Sequence, residues 1–435
     1  GAPLVGAPAA TLGGEFKAGA FLLGVEARLA KTDAVLLAVT LFALGALART
    51  LLTSAGRAWA PVFWAAVGVG VLVKGPIVLI PTVGAAAWLC AAERSVGRLR
   101  ALRPLLGALI VALIAGPWLA AITVASGGEF WAKSVGDDML AKVVSGQESH
   151  GAPPGYYLGV GLGTFWPWAV LVPFSLIALW PRRREPALRF IAGWLVVTWL
   201  LFELTPTKLP HYVLPAYPAL ALLLGLWLAG PRPAEPPLWA KRIAAVLWAI
   251  PPVALTAAAV FGAVAAGAGF SPGAAALGVL GGGAAWIAGR ALWGWRPAAM
   301  VAPAAIASVA FTAAAGQFVF PRIERAFPAP RMAQMVAACR AGDERPVVLT
   351  GYREPSAVFL LGTDTLMDSG AGAAEALADG RASLAWVDDR SRAAFDAALP
   401  GAAALGALDA FNYSNGRSMT LTLFAPPGRE AACES

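Results

Sequence analysis

The sequence predicts an all-α polytopic membrane protein of about ten to eleven helices, followed by a small C-terminal α/β domain. Three observations carry this. Of 435 residues, 58% are hydrophobic and 13% charged, against about 25% charged in a soluble domain, so a polar skin cannot be supplied all round. The apolar residues are gathered in long runs with the basic ones between them. After Pro321 the runs cease and charge returns. The same composition excludes a disordered chain, which would be poor in apolar residues. The 48 Gly and 34 Pro follow no period, which excludes a collagen-like fibre. The net charge of +8 forms no basic patch interleaved with aromatics, so nucleic acid is excluded as a partner.

Taken in order, runs able to cross a hydrocarbon core of about 30 Å fall at 33–53, 59–73, 76–92, 105–124, 157–180, 187–204, 211–230, 243–267, 273–290 and 298–319. An eleventh, 4–25, is interrupted by Glu15 and Lys17. The runs 59–73 and 76–92 are short, so their ends are expected in protein rather than lipid. The chain opens on Gly1 with no signal peptide and is expected to be N-terminally incomplete. No internal repeat is evident, which weighs against a transporter.

One set of connections carries Arg49, Arg57, Arg94, Arg98, Arg100, Arg103, Arg182, Arg183, Arg184, Arg232, Lys241, Arg242, Arg290 and Arg296. The alternate set carries only Arg28, Lys31, Lys74, Lys133, Lys142 and Lys208. The first set is therefore expected in the cytoplasm. Within the long outward connection 125–155, Phe130, Trp131, Val135, Met139 and Val143 recur at helical spacing, as in an interfacial helix or an ordinary docked one.

The division expected is 1–320 in the membrane and 321–435 outside it. The pattern of 321–435 predicts helix 329–341, strand 346–350, helix 354–361, strand 382–387, helix 388–399 and strand 417–424, an α/β alternation. An odd number of crossings from the cytoplasm puts this domain in the periplasm of a bacterial inner membrane. Cys339 and Cys433 both lie there, an oxidising place; they either pair or remain two free thiols. Cys90 falls at a cytoplasmic helix end.

Charges at membrane depth are costly and usually functional or paired. Four groups stand out. In Glu26-Ala-Arg28-Leu-Ala-Lys31-Thr-Asp33, the aspartate either caps the following helix or presents a carboxylate to a polar substrate or metal. In Leu72-Val-Lys74-Gly75-Pro76, the lysine is either a snorkelling anchor or a phosphate ligand aimed by a tight turn. The third group runs from Glu203 to Pro218 and contains Pro206, Lys208, Pro210, His211, Tyr212, Pro215 and Tyr217. Its four prolines cannot donate backbone hydrogen bonds, so it is a shaped break holding a cation, an imidazole and two phenols. The fourth, Gln147-Glu148-Ser149-His150 with the following Pro153-Pro154-Gly155-Tyr156-Tyr157, contains the other histidine. A divalent metal bridging His150 and an acidic residue is possible chemistry, but two histidines do not define a metal site. Together the groups describe an outward-facing polar cavity suited to a lipid-borne phosphate.

The pieces EARLAKTDA, LVKGP, GQESHGAPPGYY and TPTKLPHYVLPAYPAL, in this order and between spans, resemble the bacterial aminoarabinose transferase and protein mannosyltransferase-like membrane glycosyltransferases, family 39, with the GT-C fold. The similarity runs from about residue 15 to 230. It implies sugar transfer from a polyprenyl-phosphate donor to an envelope acceptor (lipid A-type glycolipid, glycan or protein) on the outer face. By position it implies that Asp33 is a catalytic residue, matching the second family acidic residue near the reaction centre, which orients the acceptor or assists. It further implies that Lys208, His211 and Tyr212, with Lys74 and Arg28 of the neighbouring groups, meet the donor phosphate, and that His150 is a metal-binding histidine. No cofactor beyond a possible divalent metal ion follows. The family's first helix and long first outward loop, which bears its favoured general base, have no counterpart, so a truncated or inactive relative is one alternative. A flippase for lipid-linked sugar is another. The reaction expected is displacement at the anomeric carbon: a carboxylate takes the acceptor proton and cations stabilise the departing phosphate.

Overall fold

The computed structural model describes residues 2–29, 31–54, 56–140, 152–231, 233–340, 342–412, 415–428 and Cys433. The chain divides into two compact units: Gly1–Gly262 with Ser271–Gln317, and Ala263–Phe270 with Phe318–Ser435. The loop 263–270 thus belongs with the second unit rather than with the helices around it in sequence.

The first unit is a multi-pass helical body. Among the described residues eight helical runs are long and apolar enough to cross a membrane, nine if the bent pair Tyr156–Thr164 and Ala169–Arg182, meeting at 120°, is one span. One of the eight, Gly56–Glu93, consists of two arms, Ala60–Lys74 and Leu79–Glu93. Gly75 between them takes φ +61°, a conformation that costs glycine little. Gly70 then comes against the Val78 side chain, so the chain doubles back there. At 15 residues each arm is about 22 Å long, short of the hydrocarbon thickness. All ten apolar runs of the sequence therefore form helix. The interrupted run 4–25 forms no single long helix but is divided among the helices Ala2–Val5, Ala7–Ala18 and Phe21–Glu26. The breaks fall at Gly6, with φ +82°, and at the extended Ala20.

Small residues let the helices approach, as membrane bundles require. A Cβ at Gly84 would crowd Val197, and one at Gly193 would overlap Trp88, which marks the seam between Leu79–Glu93 and Pro186–Leu204. Gly225 of Tyr217–Leu228 lies directly on the Ala9 carbonyl of Ala7–Ala18. Aromatic contacts fill the centre. Phe16 meets Trp168 edge-on at 4.7 Å, and Trp166 stacks on Trp248 at 5.4 Å. In the 125–155 connection, Glu129–Trp131 is helical and continues as a wider π-helix over Ala132–Leu140; Lys142 and Val143 lie outside the described residues.

The second unit is a five-stranded sheet of order β2-β1-β3-β5-β4. Its strands are β1 (Val347–Leu349), β2 (Leu366–Met367), β3 (Leu384–Asp388), β4 (Ala403–Asn412) and β5 (Arg417–Ala425). β1, β2 and β3 run parallel, and β5 is antiparallel to both neighbours. Helices Ala329–Cys339 and Pro355–Leu361 pack on one face with Leu349, Trp386 and Leu421. Helix Gly370–Ala378 and Phe395 pack on the other with Val348, Val387 and Phe424. β3 is buried along its whole length, as a central parallel strand covered on both faces should be. The six elements expected from the pattern are present. β2, Gly370–Ala378 and β4 were not legible, because two are short or Ala/Gly-rich and β4 alternates weakly. Cys339 and Cys433 are joined by a disulfide, which resolves the two alternatives left by the sequence; Cys90 is a free, buried thiol.

Candidate functional site

At one end of the helical unit, four charged or titratable side chains from four separate segments converge. Asp33 is the first residue of Asp33–Leu52, where the helix dipole favours a carboxylate. Lys74 is the last residue of Ala60–Lys74, where the dipole favours a cation. Both chain ends therefore place their charges at the same level. The Lys74 ammonium donates to Asp33 Oδ1 at 2.6 Å, with the two side chains 34% and 10% exposed. The Asp33 carboxylate turns to Lys74 across the bundle.

His211 lies on the other side of this pair. Its Nε2 is 3.8 Å from Asp33 Oδ2, and its Nδ1 is 3.7 Å from Glu26 Oε1. These separations are too long for hydrogen bonds but close enough for strong charge interaction at a buried site. Glu26 closes the helix Phe21–Glu26 and is buried, and its Oε2 has no hydrogen-bond partner among the described residues. Burial pushes the Glu26 carboxyl above its ordinary value; the Asp33 carboxylate adds to this, while Lys31 and Lys74 oppose it. The imidazole is thus flanked by two carboxylates, one of them tied to an ammonium.

The proline-rich loop holds His211 because its freed carbonyls are taken by fixed donors. The Trp194 indole N–H donates to the Pro215 carbonyl at 2.7 Å, and the Tyr157 hydroxyl donates to the Leu209 carbonyl at 3.2 Å. Between these clamps Pro210–Ala216 winds as a 3-10 turn. Glu203, just before the loop, accepts the Gly155 backbone N–H at 2.6 Å through Oε1, fixing the entry to Tyr156–Thr164. Its Oε2 is buried with no partner among the described residues.

The remaining expected residues are placed differently. Lys208 is buried, and its ammonium donates to the Thr205 carbonyl of its own loop at 2.7 Å. The reason is local: Pro206 and Pro210 leave carbonyls that a nearby cation can satisfy. Tyr212 meets His211 edge-on at 5.1 Å and packs on Phe202 at 5.6 Å. Arg28 is exposed at the same mouth and donates to the Gly24 carbonyl at 2.6 Å. His150 lies outside the described residues. Among the described residues no three His, Cys, Asp or Glu side chains are arranged to hold a metal ion, so no step is assigned to one. Sequence reasoning quoted Glu26 and Glu203 without giving either a role. The signal available was a carboxylate beside an apolar helix, one turn-and-loop ahead of Asp33 in the same motif.

Comparison with known proteins finds partial relatives and a full-length fold match. The chain is 33% identical over 172 residues to the undecaprenyl phosphate-alpha-4-amino-4-deoxy-L-arabinose arabinosyl transferase of Pectobacterium carotovorum, which covers 39% of this chain and 30% of that protein. It is 34% identical over 172 residues to the transferase of the same name from Erwinia tasmaniensis, covering 38% and 30%. The match thus spans about three-tenths of the length of these curated relatives. The crystal structure of ArnT from Cupriavidus metallidurans bound to undecaprenyl phosphate superimposes with a TM-score of 0.72 at 20% identity, covering 99% of this chain and 80% of that one. Its apo state gives 0.70, covering 97% and 79%. The chain therefore has the fold of that transferase. No family model matches the sequence.

Proposed function

We propose that this chain is a membrane glycosyltransferase that moves a sugar from a polyprenyl-phosphate donor to an envelope acceptor, of which a lipid A-type glycolipid is the first candidate. The observation that carries the reading is the convergence of Glu26, Asp33, Lys74 and His211 at one end of the helical unit. Each comes from a motif segment that resembles this class, and the partial relatives bear names of that activity. A lipid phosphate has its tail in the bilayer and its charge at the boundary, so a site at helix ends is where it can be met.

In this reading Asp33 orients the acceptor hydroxyl next to the anomeric carbon. Lys74, a third exposed, has two ammonium protons free of Asp33 with which to face the departing phosphate. Arg28 supplies a second cation at the mouth. Charge that develops on the phosphate oxygen as the glycosidic bond breaks is stabilised there before water can reorganise. The side of the membrane follows from two independent features. Lys/Arg-rich connections lie at the opposite ends of the helices from Asp33, and a disulfide stands in the C-terminal unit. The first supports an outward-facing site, and the second supports an oxidising, periplasmic surrounding for the C-terminal unit.

The test is transfer from a polyprenyl-phosphate sugar by the full chain in proteoliposomes. Asp33→Asn probes the cluster itself, and Lys208→Ala probes the loop that supports it. Asp33→Asn is expected to lower transfer at least about tenfold, about 1.4 kcal/mol in barrier. Lys208→Ala is expected to lower it similarly, through the loop that carries His211. Movement of donor lipid with no glycan product would replace the transferase reading with a flippase, and wild-type turnover in Asp33→Asn would remove Asp33 from the mechanism.

A further inference from the structure

The helical unit contains a buried carboxylate that the transfer chemistry above does not use. Glu26 has one oxygen toward His211 Nδ1 at 3.7 Å and the other oxygen buried without a partner among the described residues. Asp33, by contrast, already has one oxygen committed to the Lys74 ammonium at 2.6 Å. When two carboxylates near one site have environments this different, they take different roles. Glu26 is buried and faces His211. His211, 11% exposed, stands between it and the open side of Asp33.

We propose, resting on the transferase reading, that Glu26 is a positioning residue: it receives the Nδ1–H of His211, fixing the imidazole so that Nε2 takes the proton of the acceptor hydroxyl. In the step, the acceptor O–H proton passes to His211 Nε2 and the acceptor oxygen bonds to the anomeric carbon. The carbon–oxygen bond to the phosphate breaks, and its electron pair leaves on the polyprenyl phosphate. The imidazolium so formed lies between the Glu26 and Asp33 carboxylates, which stabilise it by charge. The two contacts, loose in the free protein, are ones that close when a substrate fills the site.

The groups that bear on this pair are few. Lys31, Asp33 and Lys74 act on both Glu26 and His211. The helix Tyr156–Thr164 brings Tyr156 and Tyr157, Ala7–Ala18 brings Glu15 and Lys17, and the loop brings Tyr212; Pro186–Leu204, packed on that loop, brings Glu203 and Arg189, Tyr217–Leu228 brings Tyr217, and Pro297–Ala313 brings no charge.

The chain has only two histidines, so histidine labelled with nitrogen-15 gives two ring systems, and His150→Gln identifies the signals of His211. In the full-length chain, Glu26→Gln is expected to shift the His211 ring signals and their titration, and Glu26→Asp to restore them in part. In the transfer assay, Glu26→Gln is expected to lower kcat about tenfold, with the donor KM within twofold and the acid limb of the kcat profile displaced. Glu26→Asp should recover part of the rate. His211 ring signals unchanged in Glu26→Gln, or a loss confined to the donor KM, would overturn the proposal. A wild-type chain that transfers nothing would overturn the transferase reading and the catalytic half of this one together; the ring signals would still decide whether Glu26 holds His211.

Discussion

The pair Lys74–Asp33 offers the sharpest prediction. Lys74→Met removes the ammonium and leaves the Asp33 carboxylate, only a tenth exposed, with no cation at hydrogen-bond distance. The magnitude lies between two measured classes. Exposed ion pairs contribute about 0–1 kcal/mol, and breaking a fully buried pair costs about 3–5 kcal/mol because a charge is left stranded. With the lysine a third exposed and the contact at 2.6 Å, the intermediate value of about 2 kcal/mol is expected for Lys74→Met. Asp33→Asn should cost less, since the lysine can turn to water. The double variant removes both charges and should recover part of the loss, giving a coupling of about 1–2 kcal/mol. The assay is equilibrium unfolding of the full chain in mixed micelles, for the wild type, both single variants and the double. Additive losses, with a coupling under about 0.3 kcal/mol, would show that the two charges do not depend on one another, and would refute the site as an electrostatic unit.

Three further outcomes follow from the same structure. Glu203→Ala deletes a charged acceptor of the Gly155 N–H; a loss of about 1.5–3 kcal/mol is expected in the same unfolding assay, with faster hydrogen exchange at Gly155. Gly225→Ala puts a Cβ against the Ala9 carbonyl oxygen, which should cost about 1–3 kcal/mol by overpacking and loosen the Ala7–Ala18 helix to proteolysis. In the second unit burial alone would raise the Asp388 carboxyl, but hydrogen bonds from Ser391, Arg417 and Thr350 and the Arg417 charge hold it below its ordinary value of 3.8. A depressed folded value contributes stability that is present above the unfolded pKa and lost as pH falls through the folded one. Arg417→Met should therefore destabilise the full chain's C-terminal unit at neutral pH and flatten its acid transition below about pH 4, followed by hydrogen exchange at the amides of β3 and β5.

How much of this was legible depends on the range of the interaction. The apolar runs were readable because each helix satisfies its own backbone polar groups and only its length and hydropathy matter in lipid. The two short runs either side of Lys74-Gly75-Pro76 were readable for the same reason, and the turn between them from glycine's access to positive φ at Gly75. The stretch 4–25 was legible as an interrupted run from Glu15 and Lys17, but its backbone breaks at Gly6 and Ala20 are ones that a sum over residues does not show. In the C-terminal unit β3 announced itself by an unbroken buried run, whereas β2, with two residues, carries too little pattern to find.

By itself the sequence determined that the chain is a membrane-crossing helical body with a mixed α/β tail. It also picked out the motifs that carry Asp33, Lys74 and His211, since charge stranded between apolar runs must be paired or used. Tertiary structure alone decided the pairings. Lys74 rather than Lys208 meets Asp33, because the turn at Gly75 brings the ends of two helices level while Lys208 satisfies a carbonyl of its own loop. Glu26 stands behind His211, because the proline loop is clamped by Trp194 and Tyr157 beside the end of the Phe21–Glu26 helix. Hydropathy is a property of each residue and is written along the chain. Which carboxylate keeps a cation and which is left buried depends on distances between segments far apart in sequence, and these exist only once the helices have packed.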